Sequence, residues 1–205
     1  GNLVETLLLT DPPYCMESDQ TAVHGDKKVV IKNDSLAPDD YKDLITPMLR
    51  ETKADVMYSF CSWERWCEMK LVVSLLDFKM KTMGVWDKGK QALWNDWGSQ
   101  HELFAVAYRN GRKKRAANIS TNLLSYSPKH SKLHPTAKPV DLLIEMMAVD
   151  IAEGPVLDPF LGSGSTLIAC ERSNRACIGI EIEPKFIAAT LKRSEAEGFS
   201  IERLL

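Results

Sequence analysis

The chain has 205 residues, 44% of them apolar and 26% charged, with a formal net charge of −2. That length supports one ordinary domain with a real core, and no apolar run approaches the roughly 18–20 residues needed to span a bilayer, so no membrane partner is expected. Five cysteines without a CxxC pair fit a reduced, cytoplasmic compartment without structural zinc, and Gly1–Thr10 lacks both a basic n-region and a small-residue cleavage site, so no secretory signal is expected.

In chain order, short apolar runs alternate with longer amphipathic ones. Val4–Thr10 reads as the first strand. Pro38–Glu51 reads as a helix, opened by Pro38 with Asp39 and Asp40 in its first turn. Pro47 inside it predicts a kink or a break. Then follow a strand at Val56–Phe60, a helix at Ser62–Leu76, and strands at Thr82–Trp86 and Leu103–Tyr108. The remainder reads helix Pro139–Ile151, strand Pro155–Leu157, helix Ser165–Arg172, strand Cys177–Ile182 and helix Pro184–Glu197. Most of the strands are near-continuous apolar runs, as expected when both faces are buried. The alternation predicts a doubly wound, mostly parallel, Rossmann-like α/β sheet. Cys15–Lys32 and the basic, Ser/Asn-rich stretch Gly111–His134 read as irregular, and loops that long in a compact domain are usually functional or mobile.

Asp11-Pro12-Pro13-Tyr14 directly follows Leu7-Leu8-Leu9-Thr10. It therefore stands at the carboxyl end of a strand, where open α/β sheets bind ligands. X-Pro-Pro also simply ends regular structure, so a bare turn is the competing reading. The chemical reading concerns an aromatic amine, whose lone pair is delocalised into its ring. Two acceptors aimed at its two hydrogens can pull the lone pair out of conjugation. The Asp11 carboxylate is one, and the Pro12 carbonyl is the other, held stiffly because proline has a fixed φ and no N–H. Pro13 completes the rigid step, and Tyr14 offers a face on which an extruded base could stack.

The second motif is Asp158-Pro159-Phe160-Leu161-Gly162-Ser163-Gly164-Ser165-Thr166, between an apolar run and a helical pattern. Glycines there allow a tight turn and a close backbone approach to a ligand at a helix N-terminus. Glu181 lies about 20 residues on, past the next strand, where an acid suits a ribose diol. Position 167 is Leu rather than a third glycine, and no GK[ST] occurs. An adenosine-type cofactor without a pyrophosphate is therefore preferred over NAD or ATP. Tyr108–Arg115 holds five cations in eight residues, Arg109 and Arg112-Lys113-Lys114-Arg115, with Lys129, His130, Lys132, His134 and Lys138 following. Such a run reads equally as a solvated loop or as a nucleic-acid contact, and net charge does not decide, since only the contact face need be positive.

Taken together, DPPY, then His134-Pro135-Thr136-Ala137-Lys138-Pro139-Val140, then DPFLGSGST resemble the amino-methyltransferases of DNA. The order, catalytic loop before cofactor loop, is similar to the circularly permuted class of that family, and Lys32–Leu36, Val85–Lys90 and Gln100-His101-Glu102 add further matches; His101-Glu102 followed by Lys132–Pro139 also looks similar to phage-type modification methylases. The resemblance implies a class I methyltransferase fold and S-adenosyl-L-methionine as cofactor. It also implies DNA as partner, transfer to adenine N6, and a setting in restriction-modification or phage infection. It assigns Asp11, Pro12, Pro13 and Tyr14 to catalysis. To the cofactor it assigns Asp158, Phe160, Gly162, Ser163, Gly164, Ser165, Thr166 and Glu181, with Lys138, Thr136 and Pro139 near the methionine end and Asn33 and Asp34 beside them. Arg112, Lys113, Lys114 and Arg115 are expected on DNA, and no metal is expected. His134 reads as ligand or mere cap, and Trp86 as a core tryptophan.

The expected layout is one methyltransferase domain over 1–205, with a catalytic half 1–110, a basic recognition loop near 111–133 and a cofactor half 134–205. Two departures from the family stand out. The further strand, ending in Gly-Asp, that the family usually carries about 20 residues upstream of DPPY has no room before residue 11. That leaves a truncated chain, a missing upstream domain, or a substitute strand at Phe199–Leu205. The recognition insert is also short, so a homodimer pairing near Trp63 and Trp66 is expected, unless those two are core. Cytosine N4 is the competing target, since that group more often has Ser in place of Asp11. A catalytically inactive nucleic-acid-binding module of the same fold is the competing class.

Overall fold

The computed structural model describes residues 5–14, 22–24, 27–29, 38–89, 98–109, 120–128, 137–150 and 152–202. Nine strands and five helices lie among the described residues. They are β1 Leu7–Thr10, β2 Ala22–His24, β3 Lys27–Val29, α1 Pro38–Glu51, β4 Val56–Cys61, α2 Trp66–Leu75, β5 Phe78–Asp87, β6 His101–Arg109, β7 Leu123–Ser125, α3 Val140–Val149, β8 Val156–Asp158, α4 Ser165–Arg172, β9 Cys177–Gly179 and α5 Pro184–Glu197. Seven strands form one sheet in the order β7-β5-β6-β4-β1-β8-β9. All neighbouring pairs are parallel except those of β6, which runs against both β4 and β5. The expected mostly parallel α/β sheet is what the chain adopts.

The unbroken apolar strands follow from burial on two faces. In β1, Leu7 and Leu9 face one core with Val56, Tyr58 and Phe60 of β4, against α3 and α4. Leu8 and Met57 face the other, against α1 and α2. The side-chain period of two thus uses every residue of these strands. Among the described residues no helix is long and apolar enough to cross a membrane.

The structure corrects several expectations. α1 runs through Pro47 without a break. Pro47 and Asp43 are both exposed, so the Asp43 carbonyl that loses its N–H partner lies on the solvent side of the helix, where the loss costs least. β5 begins at Phe78, four residues before the expected start, because Lys79 and Lys81 disguise the run. β7 lies inside the stretch read as irregular, and β2 and β3 pair antiparallel inside the other. Phe199 to Glu202 form no strand; Phe199 packs on the α3/α4 core instead.

Candidate active site

β1 and β8 are neighbours, and the chain departs from them in opposite directions, to β4 on one side and β9 on the other. Such a switch point leaves a crevice beyond the carboxyl ends of the strands. Asp11–Tyr14 leaves β1 there, and Asp158–Gly164 leaves β8. A cavity of about 350 Å³ fills the crevice, lined by both loops and by Lys88, Glu102, Lys138 and residues 180–183. That volume falls within the range of small-molecule sites, about 300–1,000 Å³.

One end of the cavity is dense with charge. Lys138 Nζ contacts Asp11 Oδ2 and lies 3.1 Å from Glu102 Oε2. It is also 3.4 Å from the Tyr14 hydroxyl. That hydroxyl is 2.9 Å from Asp11 Oδ1 and 3.0 Å from Glu102 Oε2. Lys88 Nζ pairs with Glu102 Oε1 at 2.6 Å. The rings of Phe60, Tyr14 and Trp86 surround the Lys138 ammonium at 4.9, 5.7 and 5.9 Å, a favourable arrangement for a desolvated cation. Burial would push Glu102 up, but Lys138 and Lys88 overcome it and hold the carboxyl down at about 2. For Asp11 burial wins over the pull of Lys138, and its carboxyl is raised. Burial, then the charges of Asp11 and Glu102, lift Tyr14 well above the ordinary phenol range, so it stays protonated.

The Asp11–Tyr14 loop is also held from behind. Ser62 caps the 3-10 turn Trp63–Arg65. Arg65 Nε donates to the Tyr14 carbonyl at 3.1 Å. Residues from β1, the turn after β4, the β5–β6 pair and the start of α3 therefore converge on one tetrapeptide.

The other end of the cavity is built from backbone and apolar surface. Glu181 accepts from the Gly162 and Glu183 N–H groups, each at 2.7 Å. Leu161, Ile180, Ile182 and Phe186 provide apolar walls. Thr190 Oγ1 donates to the Gly162 carbonyl, and Arg193 Nη1 donates to Ser163 O, Ser163 Oγ and Ser165 Oγ. α5 thus braces the loop from its far side.

The structure refines the expected site residue by residue. Asp11, Pro12, Pro13, Tyr14, Lys138, Asp158, Phe160, Gly162, Ser163, Ser165, Thr166 and Glu181 all line the cavity. Pro139 caps α3 beside it. Asp158 is spent largely on structure: it accepts from Thr10 Oγ1 at 2.8 Å and from Phe160 N at 3.1 Å, tying the ends of β1 and β8 together. Gly164 adopts φ 79°, and a Cβ there would lie 2.7 Å from the Thr190 methyl. Its left-handed φ and the packing of α5 therefore each require glycine there. Asn33, Asp34, Thr136, His134 and Arg112–Arg115 lie outside the described residues. Arg109, counted with the cations, is spent on the Ala54 and Leu76 carbonyls at the opposite end of the sheet. Trp86 is core, and its indole N–H donates to the Tyr126 carbonyl at 2.8 Å. Trp66 packs on the α1/α2 core, whereas Trp63 is 65% exposed. The sequence motifs assign no role to Glu102, Lys88, Arg65 or Ile182; the QHE and WDK stretches are the visible signal for the first two.

Comparison with known proteins agrees with this geometry. A family model described as DNA methylase, covering N6 and N4 methyltransferases, matches residues 6–192. YubD of Escherichia coli (strain K12) is 30% identical over 201 residues, 96% of this chain and 84% of that protein. Type II methyltransferase M.HpaI of Haemophilus parainfluenzae is 38% identical over 95 residues, 44% of this chain, and the match spans only 30% of that enzyme's length. Among solved structures, the PvuII DNA methyltransferase (cytosine-N4-specific) shares the fold with a TM-score of 0.72 at 18% identity, covering 96% of this chain and 81% of that one. The M1.HpyAVI–SAM complex gives 0.65 at 24% identity, with 93% and 88% coverage. The chain belongs to the DNA methylase family, the amino-methyltransferases of DNA.

Proposed function

We propose that the chain is an S-adenosyl-L-methionine-dependent methyltransferase that acts on N6 of adenine in DNA. The observation that carries this reading is the continuous cavity lined by the Asp11–Tyr14 loop at one end and the Gly162–Glu181 cradle at the other. The cradle suits a nucleoside. Apolar Ile182 and Phe186 can flank a base, and the Glu181 carboxylate can accept from a ribose diol. When bound, the cofactor supplies an electrophilic methyl group on a sulfonium. Asp11 and the Pro12 carbonyl accept the two hydrogens of the target amine and localise its lone pair. Tyr14 presents its ring to the extruded base. Asp11 stabilises the positive charge that develops on the nitrogen, whose surplus proton then passes to water. Aspartate rather than serine at position 11 favours adenine over cytosine. Arg112–Arg115 supply phosphate contacts, and a second copy of the chain adds recognition surface.

Duplex DNA methylated in vitro, digested and resolved by nucleoside mass spectrometry tests the reading. N6-methyladenine is expected. N4-methylcytosine would transfer the assignment to the other base, and an unmodified digest would leave only a nucleic-acid-binding module.

A further inference from the structure

We propose that Glu102 is a positioning residue that takes Lys138 over from Asp11 when the target amine enters, so that Asp11 meets its substrate free of the ammonium. The inference rests on the reading of this cavity as the site of methyl transfer to a base amine. Three observations carry it.

First, both oxygens of Asp11 are engaged, Oδ1 by the Tyr14 hydroxyl and Oδ2 by the Lys138 ammonium. An ammonium on Asp11 donates N–H where the target amine must donate, and its charge opposes the positive charge that develops on the nitrogen. It must therefore leave. Second, Lys138 is buried, and its exit is constrained. A buried cation does not move to an unpaired position, and Glu102 Oε2, already 3.1 Å away, is an acceptor in reach. The aromatic rings around Nζ cushion a short shift without water. Third, the two carboxylates are held differently. Asp11 stands on a loop, whereas Glu102 is in β6, paired in register with Trp86, and is fixed from its other oxygen by Lys88. Glu102 is the firm anion and Asp11 the one lifted by burial, so the ammonium has a permanent partner and an exchangeable one. The single hydrogen of the Tyr14 hydroxyl can serve only one carboxylate at a time. As Lys138 settles on Glu102, that hydrogen goes to Asp11 and helps orient it.

The test is the single-turnover rate of methyl transfer to duplex DNA, at saturating cofactor, for the wild type, Glu102→Gln, Lys138→Met and the double variant. Thermal melting and calorimetric cofactor titration accompany each. Glu102→Gln should slow transfer about 10- to 100-fold, the scale of removing one charge-assisted hydrogen bond, with cofactor affinity within about twofold. The decisive outcome is a reversal: adding Lys138→Met to Glu102→Gln should speed transfer, because the ammonium stranded on Asp11 is then gone. Glu102→Asp should fall between the wild type and Glu102→Gln, and it replaces Glu102→Gln in the cycle if the latter does not fold. An active wild type with a double variant no faster than the Glu102 single variant, or with Glu102→Gln at the wild-type rate, overturns the inference alone. A wild type that transfers no methyl group to DNA overturns the underlying reading, and the inference with it.

Discussion

The two ends of the cavity are made by different means. At the Asp11 end, five ionisable side chains, Asp11, Tyr14, Lys88, Glu102 and Lys138, lock one another in place from four separate segments of the chain. At the Glu181 end, one contiguous loop is shaped by glycine conformation, backbone N–H groups and bracing from α5. On the proposed reading, the Glu181 end binds the cofactor with a shape that backbone keeps always present, and the Asp11 end acts on the amine with side-chain charge that can be rearranged. Changes at the first end should therefore alter rate, and changes at the second should alter affinity.

The largest effect should come from Asp11→Ala. Transfer should fall by at least about 10²- to 10⁴-fold, while cofactor affinity stays within a few-fold, because the amine is absent until DNA binds. Labelled methyl transfer and calorimetry read the two separately; a variant that turned over normally would remove Asp11 from the chemistry. Glu181→Ala should do the reverse, weakening cofactor binding by about 1.5–3 kcal/mol as its charge-assisted hydrogen bonds disappear. Part of that weakening comes from releasing the Gly162 and Glu183 N–H groups that the carboxylate now holds. Unchanged affinity in the titration would place the cofactor elsewhere.

Asp158, at the seam between the two ends, should show itself in stability against pH. Burial pushes its carboxyl from the ordinary 3.8 up to about 6, against the hydrogen bonds from Thr166, Thr10 and Phe160 N. Between those values the folded chain holds more protons than the unfolded one. Stability contributed by the neutral form is therefore present at low pH and is lost as pH rises through about 6. Denaturation of the wild type and of Asp158→Asn, compared from pH 4 to 7, should show the wild type losing ground as pH rises. A constant difference would mean that Asp158 is charged throughout.

Smaller still is the expected effect of the basic run. Neutralising Arg112–Arg115 should weaken DNA binding for all sequences and flatten its salt dependence by up to about 0.9 for each phosphate no longer neutralised. An unaltered salt slope would make the run a solvated loop. Pairing of two copies should be the weakest of these effects. Trp63, Cys67, Leu71 and Leu75 form an exposed stripe at helical spacing, and Trp63→Ser should shift sedimentation at micromolar concentration toward monomer. A wild type already at 23.0 kDa that still methylates one defined sequence would show that pairing is not needed.

The Glu181 end is largely legible in the sequence because its parts are neighbours along the chain. α4 and α5 match their expected bounds, since Pro184 opens α5 and Gly164 and Gly198 flank the helices with positive φ. The Asp11 end is legible in its loop and in Lys138 of the HPTAKPV motif, but not in how its residues meet. Glu102 and Lys88 meet there because an antiparallel pairing sets Trp86 against Glu102, and register between strands is not written at either residue. Short elements are also hidden. β2, β3 and β7 are three residues each, too few to show a period, although Gly25-Asp26 between β2 and β3 is a hairpin-length signal. That Thr190 is what a side chain at Gly164 would meet is likewise hidden, because sequence shows that a side chain is missing but not which neighbour fills the space.

β6, the one strand that runs against its neighbours in the large sheet, sorts charge across it. Its first residues, His101 and Glu102, reach the rim where every neighbouring strand delivers its last. Its own last residue, Arg109, lands about 25 Å away at the opposite rim, over the Phe78 ring and against the carbonyls that end two connections. A parallel strand of the same sequence would carry a guanidinium to the cavity and leave the carboxylate outside. Lys138 would then face a second cation in place of its firm anion. The direction of a single strand thus decides the sign of the field in which a base amine would be held.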